Sequence, residues 1–285
     1  MVSIEEALKA VLKNTKKISS EIKLPVENAG NSILSQNIPS PINMPPFRQS
    51  AMDGYAVNLH EDLTYSVVGE VKAGDSQQPS LKKGEALRIF TGAPVPDSAN
   101  AIVIQEEVFV KGNEIIVKLP PKKQQNIRPL GEQVNKGEIA LKIGDKLTPA
   151  AIGYLSSLGL KKVSVYKKPS IAIVATGNEL IEAGNPLPYG KIYESNSVML
   201  KSAFLDLGFD TISVHKVKDN YKDTYNKLKQ VMSENDLVII SGGISVGDYD
   251  YVGKSLEHLD IEQIFYKVYQ KPGKPLFFGK NENTA

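Results

Sequence analysis

"SIAIVATGNEL", Ser170–Leu180, is an uninterrupted apolar, β-branched run that stops at a threonine-glycine turn. A strand apolar on both faces suits a sheet that is covered on both sides. Two downstream segments have the same form: "TISVHKV" (211–217), which runs into "KDN", and "DLVIIS" (236–241), which runs into "GGISVGDYD". Helical patterns lie between and after them, in "SVMLKSAFLDLG" (197–208), "NYKDTYNKLKQVMSEN" (220–235) and "VGKSLEHL" (252–259). Strands alternating with helices predict βαβ units and a parallel sheet covered on both faces from Pro169 onward. Ligands of such sheets bind where loops leave the carboxyl ends of the strands, here "TGNEL", "KDN" and "SGGISVGDYD".

Upstream, the character is different. The proline cluster "IPSPINMPPF" (38–47) excludes a helix interior and predicts an extended connection. Short runs follow, "YSVVGEV", "EALRIF", "AIVIQEEVFV" and "EIIVKL", punctuated by "KAGD", "KKGE" and "VKGNE", which predicts a small antiparallel module over Pro39–Gly137. Two helices flank it. "MVSIEEALKAVLKN" places Ile4, Ala7, Leu8, Val11 and Leu12 on one face, and "LTPAAIGYLSSLG" offers Thr148 as cap, Pro149 at the first position and Gly159 as stop.

Composition narrows the function classes. A chain of 285 residues, 23% charged and 41% hydrophobic, is an ordinary globular balance of about two domains, and a net charge of +2 gives no general basis for binding nucleic acid. With no cysteine there is no disulfide, thiolate nucleophile or zinc-thiolate site, as suits a reducing cytoplasm. His60, His215 and His258 are scattered, and the apolar runs are too short to span a membrane. The first residues are too acidic for a signal peptide.

Several stretches carry side chains suited to chemistry. In "SGGISVGDYD", the glycines and a helix start suit a phosphate, and Asp248 and Asp250 beside a phosphate make sense with a divalent cation between them. The stretch reads equally as a solvated turn with a capping aspartate. In "TGNELIEAGNP", Thr176 and Gly177 offer a hydroxyl and an N–H, and Glu179 a carboxylate for metal or proton handling; capping and dipole complementation are the plainer reading. "KPGKP" sets Lys271 and Lys274 either side of the rigid Pro272–Gly273 pair, suited to an oxyanion. "RQSAMDGYAV" and "RIFTGAPVP" place Ser50, Asp53 and Thr91 beside tight glycine turns.

In order and spacing, "SAMDGYAV", "FTGAPVP", "RPLGE", "TGNEL", "ESNS", "SGGISVGDYD" and "KPGKPLFFG" closely resemble the MoeA family of molybdopterin molybdenumtransferases, which includes the gephyrin E domain. The resemblance covers nearly the whole chain, to about Gly279. It implies a multidomain α/β fold. An elongated domain is built from residues 1–38 and 138–168, with the β-rich module 39–137 inserted, followed by a three-layer α/β domain, 169–285, like that of molybdopterin adenylyltransferases. It implies a homodimer with its cleft between the α/β domain of one copy and the β module of the other. The implied reaction inserts molybdate into adenylylated molybdopterin with Mg²⁺-dependent release of AMP. Molybdopterin adenylyltransferase and molybdoenzyme maturation factors are the implied partners.

By the same resemblance, Asp53 and Thr91 face the cleft from the partner. Glu179, Asp219 and Asp250 handle Mg²⁺ and the adenylate, with Asp248 the alternative to Asp250. Ser241, Gly242, Gly243, Ser245 and Gly247 cradle pterin or phosphate, and Lys271 and Lys274 bind molybdate or neutralise charge that develops on the oxyanions. Two departures stand out. Gln133 follows "RPLGE" where the family has aspartate, and the family's later glycine-proline-asparagine loop and C-terminal β-barrel have no counterpart up to Ala285. Both bear on whether this chain is catalytic or a pterin-binding scaffold. A molybdopterin adenylyltransferase is a third reading, against which the β module with "SAMDGYAV" counts.

Overall fold

The computed structural model describes residues 1–243 and 251–281. The chain divides into two compact units, one of residues 1–35, 146–149 and 162 onward, the other of residues 36–145 and 150–161.

The first helix, α1 (Ile4–Asn14), begins with a capping box. Ser3 accepts from the Glu6 N–H while Glu6 accepts from the Ser3 N–H, which satisfies two otherwise orphaned donors. Only part of its expected apolar face packs. Ala7 is buried and Ala10 and Val11 are half-buried against Phe265 and Val268, whereas Ile4, Leu8 and Leu12 are more than half exposed. The reason is size: small side chains let the helix backbone approach the hairpin carrying Phe265, which turns the bulkier i, i+4, i+8 row outward.

The β module centres on six strands: β1 (Gly54–Val57), β2 (Thr64–Val71), β3 (Glu85–Ile89), β4 (Ala101–Ile104), β5 (Val108–Lys111) and β6 (Glu114–Val117). Their order is β4-β1-β3-β2-β6-β5. The expectation of an antiparallel module is corrected at one pair: β2 and β3 run parallel, Ser66 opposite Glu85 and Val71 opposite Ile89. A parallel pair needs a long crossover, which residues 72–84 supply. The run "AIVIQEEVFV" is two strands, split by a 3₁₀ turn at Gln105–Glu107. That turn joins opposite ends of the strand order. Six strands laid flat would separate their edges by roughly 24 Å, and three linking residues span at most about 14 Å, so the sheet must curl. Ile89, Ile102, Ala56 and Leu87 fill one cluster of its core, and Tyr65, Val103 and Ile115 another. Helix α2 (Pro149–Ser157) follows, and Gly159, at φ +79°, ends it as expected.

In the other unit, β7 (Ile171–Thr176) lies between β8 (Ile212–Val217) and β9 (Leu237–Ser241), all parallel. Every residue of β7 is buried, as its continuous apolar run requires. Ala172 and Val174 pack with Leu228 and Val231 of α4 (Tyr221–Glu234) and with Val252 and Leu256 of α5 (Tyr251–His258). Helix α3 (Asn196–Asp206) packs against β7 and β8. The unit also holds a hairpin of β10 (Glu262–Tyr266) and β11 (Phe277–Lys280), an antiparallel pair of Glu21–Pro25 with Lys162–Tyr166, and a short parallel pair of Leu180–Ile181 with Ile192–Tyr193. Among the described residues no helix is long and apolar enough to cross a membrane.

Candidate functional site

At the carboxyl end of the parallel sheet, β7, β8 and β9 release their chains side by side. Thr176 and Ser241 end β7 and β9, and Asp219 follows β8 by two residues. The expected loops therefore converge where a parallel sheet presents ligand sites. Gly242 (φ +91°) and Gly243 (φ +68°) cross directly over the end of β7. A Cβ on Gly242 would strike the Thr176 carbonyl, and one on Gly243 would lie 2.5 Å from Thr176 Oγ1 and 2.6 Å from Val252 Cγ2. The glycines are thus required by close backbone approach as well as by positive φ. Gly177 (φ +152°) similarly lies under the Glu179 carboxylate, 2.7 Å from where its Cβ would be.

Two asparagines tie the loops together. Asn178 Oδ1 accepts from the Asp219 N–H at 3.2 Å, linking the exits of β7 and β8. Asn196 donates to Ser241 Oγ at 2.8 Å, linking α3 to the exit of β9. Glu194 is buried and accepts from both the N–H and the hydroxyl of Ser197, which fixes the first turn of α3. Burial alone would raise its pKa; the Ser197 hydrogen bonds, with help from Lys216, reverse that and hold it below the ordinary value. None of Asn178, Asn196 and Glu194 stood out as a site residue in the sequence, although "TGNEL" and "ESNS" contain them. Their signal was an asparagine or acid next to a strand end or helix start, which is also how ordinary caps look.

Two buried polar atoms here have no partner among the described residues: Thr176 Oγ1 and Asp219 Oδ1. Buried oxygens left unsatisfied are costly, and they suit a ligand that supplies the missing donor or cation. Glu179 is exposed on the adjoining loop. Asp219 and Glu179 are hard oxygen donors of the kind Mg²⁺ takes, in a number adequate when substrate oxygens complete the shell. Among the described residues no three His, Cys, Asp or Glu side chains group as a complete metal-ligand set. Ser245, Gly247, Asp248 and Asp250 lie outside the described residues.

Lys271 and Lys274 sit on the exposed turn of the β10–β11 hairpin. Gln270 donates to the Gly273 carbonyl at 2.6 Å and Val268 N–H to the Lys274 carbonyl at 3.0 Å, so the turn through Pro272 and Gly273 is held from inside and both ammonium groups face solvent. The strand-end loops contribute no hydrogen bond or ion pair to either lysine among the described residues.

The β module has its own cluster. Asp53 Oδ1 accepts from both the N–H and the hydroxyl of Thr91, each at 2.7 Å. These bonds, and the nearby Arg88 charge, hold the Asp53 carboxyl below its ordinary value although it is exposed. Asp53 is consequently an anion at neutral pH, suited to accepting hydrogen bonds or facing a cation. Ser50 is buried, and its hydroxyl donates to the Met52 carbonyl at 2.5 Å; it shapes the turn that delivers Asp53. Ser50 also exchanges backbone bonds with Gly92 and Ala93, and its strand Gln49–Ser50 pairs with Ile127–Arg128. "RQSAMDG", "FTGAP" and "IRPLG" are therefore neighbours in space. Gln133 is exposed just beyond them.

A parallel sheet whose strand-end loops carry unsatisfied oxygens, and a separate curled β module that presents a locked aspartate, define a two-unit α/β protein. Residues 2–159 match the model described as "MoeA N-terminal region (domain I and II)", and residues 172–284 match "Probable molybdopterin binding domain". The chain belongs to the MoeA family. A molybdopterin molybdenumtransferase from Haemophilus influenzae is 38% identical over the whole chain, which covers 71% of that protein. One from Staphylococcus epidermidis is 31% identical, with 95% of this chain and 67% of that protein covered. The solved structure of a molybdopterin biosynthesis MoeA protein from Pyrococcus horikoshii OT3 superposes with a TM-score of 0.81 at 32% identity, over 100% of this chain and 73% of its own.

Proposed function

We propose that this chain acts in molybdenum cofactor biosynthesis as a molybdopterin molybdenumtransferase, taking adenylylated molybdopterin and molybdate and releasing AMP. The observation that carries the reading is the pair of buried, unpartnered oxygens, Thr176 Oγ1 and Asp219 Oδ1, at the carboxyl edge of the parallel sheet. Thr176 orients a phosphate or pterin oxygen by donating its hydroxyl. The Gly242–Gly243 backbone, kept free of side chains, allows that group to approach the sheet. Asp219 and Glu179 would hold Mg²⁺, which when bound would supply positive charge against the phosphate oxygens. Lys271 and Lys274 supply mobile positive charge for molybdate. Asp53, ionised and held by Thr91, accepts hydrogen bonds from the substrate.

The proposal extends to a cytoplasmic homodimer, with the strand-end loops of one copy completed by the Asp53–Thr91 cluster of the other. Incubation of the protein with adenylylated molybdopterin, Mg²⁺ and molybdate, with AMP read by chromatography, tests the function. Release of AMP that depends on all three supports it. Tight binding of adenylylated molybdopterin without AMP release overturns the transferase reading in favour of a pterin-binding scaffold, an outcome to which Gln133 gives weight.

A further inference from the structure

The contacts around Asp53 close into a ring through a residue on the neighbouring strand. Arg88 lies on β3 directly opposite Tyr55 of β1. Its guanidinium is half-buried between two rings, 5.1 Å from the centroid of Tyr55 and 4.9 Å from that of Phe90. Nη1 donates to the Gly54 carbonyl at 2.8 Å and Nη2 to Gln105 Oε1 at 2.6 Å. Gln105 in turn donates its backbone N–H to the Asp53 carbonyl at 3.2 Å.

Each part of Asp53 is thus held from a different side. Its side chain is fixed by Thr91, its carbonyl by Gln105, and the next carbonyl by Arg88, which also orients Gln105. Gly54 makes these lateral ties decisive. A Cβ there would strike the Val103 carbonyl, so no side chain at 54 can wedge the backbone in place. The planar fork of arginine reaches both acceptors at once while its face stacks on the rings, which a lysine point charge cannot do.

We propose that Arg88 is a positioning residue for Asp53: forked between the Gly54 carbonyl and the Gln105 side chain, it fixes the direction in which the Asp53 carboxylate is presented to substrate. The inference rests on Asp53 serving the reaction described under Proposed function. A plainer role, cross-strand adhesion within the sheet, predicts different measurements.

The test compares Arg88→Gln, Arg88→Lys, Gln105→Ala, Asp53→Asn and the Asp53→Asn/Arg88→Gln double variant in the full chain. Steady-state AMP release is measured alongside carbon-13 NMR titration of the Asp53 carboxyl and the Thr91 amide shift. Arg88→Gln is expected to lower kcat about tenfold with KM changed less than about twofold, and Arg88→Lys and Gln105→Ala by about threefold, because each keeps part of the fork. The double variant should be no slower than Asp53→Asn within about twofold, since the two residues act as one unit.

An Asp53 titration and Thr91 shift unchanged in Arg88→Gln, or losses that multiply in the double variant, would overturn the proposal. If Arg88→Gln fails to fold, Arg88→Lys and Gln105→Ala decide on the same readouts. Full activity in Asp53→Asn would instead sink the functional reading of Asp53, while the NMR titration still decides whether Arg88 positions it.

Discussion

Thr91 donates both its N–H and its hydroxyl to one oxygen of Asp53, each at 2.7 Å, across 38 residues of sequence. The pairing follows from the register of β1 and β3, in which Gly54 stands opposite Ile89, so that the residues just outside the pair meet at the strand ends. Replacing Thr91 by Val removes the hydroxyl and keeps the N–H. The Asp53 carboxyl should then titrate higher and AMP release should slow by roughly tenfold, whereas Thr91→Ser should keep both near the parent values. Carbon-13 NMR titration and steady-state kinetics check this together.

Gly242 has no room for a side chain. Gly242→Ala places a methyl group against the Thr176 carbonyl at a φ that alanine rarely adopts, and is expected to cost about 2–4 kcal/mol of stability. Urea denaturation monitored by circular dichroism measures it. An exposed control, Gly184→Ala, has open space around its Cβ and carries only the strain of its positive φ, so its loss should be smaller.

Asn178 links Asp219 to the exit of β7 through its side-chain oxygen. Asn178→Ala should raise the Mg²⁺ concentration needed for half-maximal AMP release by about threefold to tenfold, because the Asp219 loop loses an anchor. Mg²⁺ titration of the initial rate reads this directly. An unchanged midpoint would separate Asp219 from metal handling.

Glu194 contributes a pH-dependent share of stability. Its folded-state pKa lies below the ordinary 4.5, so the unfolded chain binds more protons as pH falls through that region. The stabilisation is therefore present above pH 4.5 and is lost as pH falls through the depressed value. Glu194→Gln should lower Tm at pH 7, and the gap between variant and parent should narrow toward pH 3. Thermal unfolding across that range is the measurement.

A site completed by a second copy predicts complementation. Asp53→Asn and Glu179→Gln should each keep only a small residual rate alone. Mixed under subunit exchange, they should recover about a quarter of the parent rate, since half the dimers are mixed and each carries one intact site. No recovery, with exchange confirmed by mass spectrometry, would place both residues in the same copy's site.

Much of the α/β unit was legible in the sequence because its signals are local. A short, β-branched apolar run such as Ile171–Thr176, bounded by Pro169 and Gly177, reads as a doubly covered strand, and its alternation with helical segments points to parallel neighbours. Family membership was equally legible, carried by the order of seven short motifs. What the sequence left open was everything set by long-range pairing. The parallel β2–β3 contact and the curl of the sheet depend on which strands meet, and "AIVIQEEVFV" does not say that it spans two edges. The exposed row Ile4, Leu8 and Leu12 has the same periodicity as a buried one. Only the available partner surface decides which row packs.

The candidate site divides along the same line. By itself the sequence determined the residue types: glycines where the chain must cross a strand end, carboxylates after strands, lysines on a rigid turn. Tertiary structure decided which of them act together. It gave Ser50 to a turn, locked Asp53 onto Thr91, left Thr176 and Asp219 with oxygens unsatisfied, and brought in Asn178, Asn196 and Arg88. The physical reason is that hydrogen-bond partners tens of residues apart are chosen by strand register and loop convergence, which no local pattern encodes.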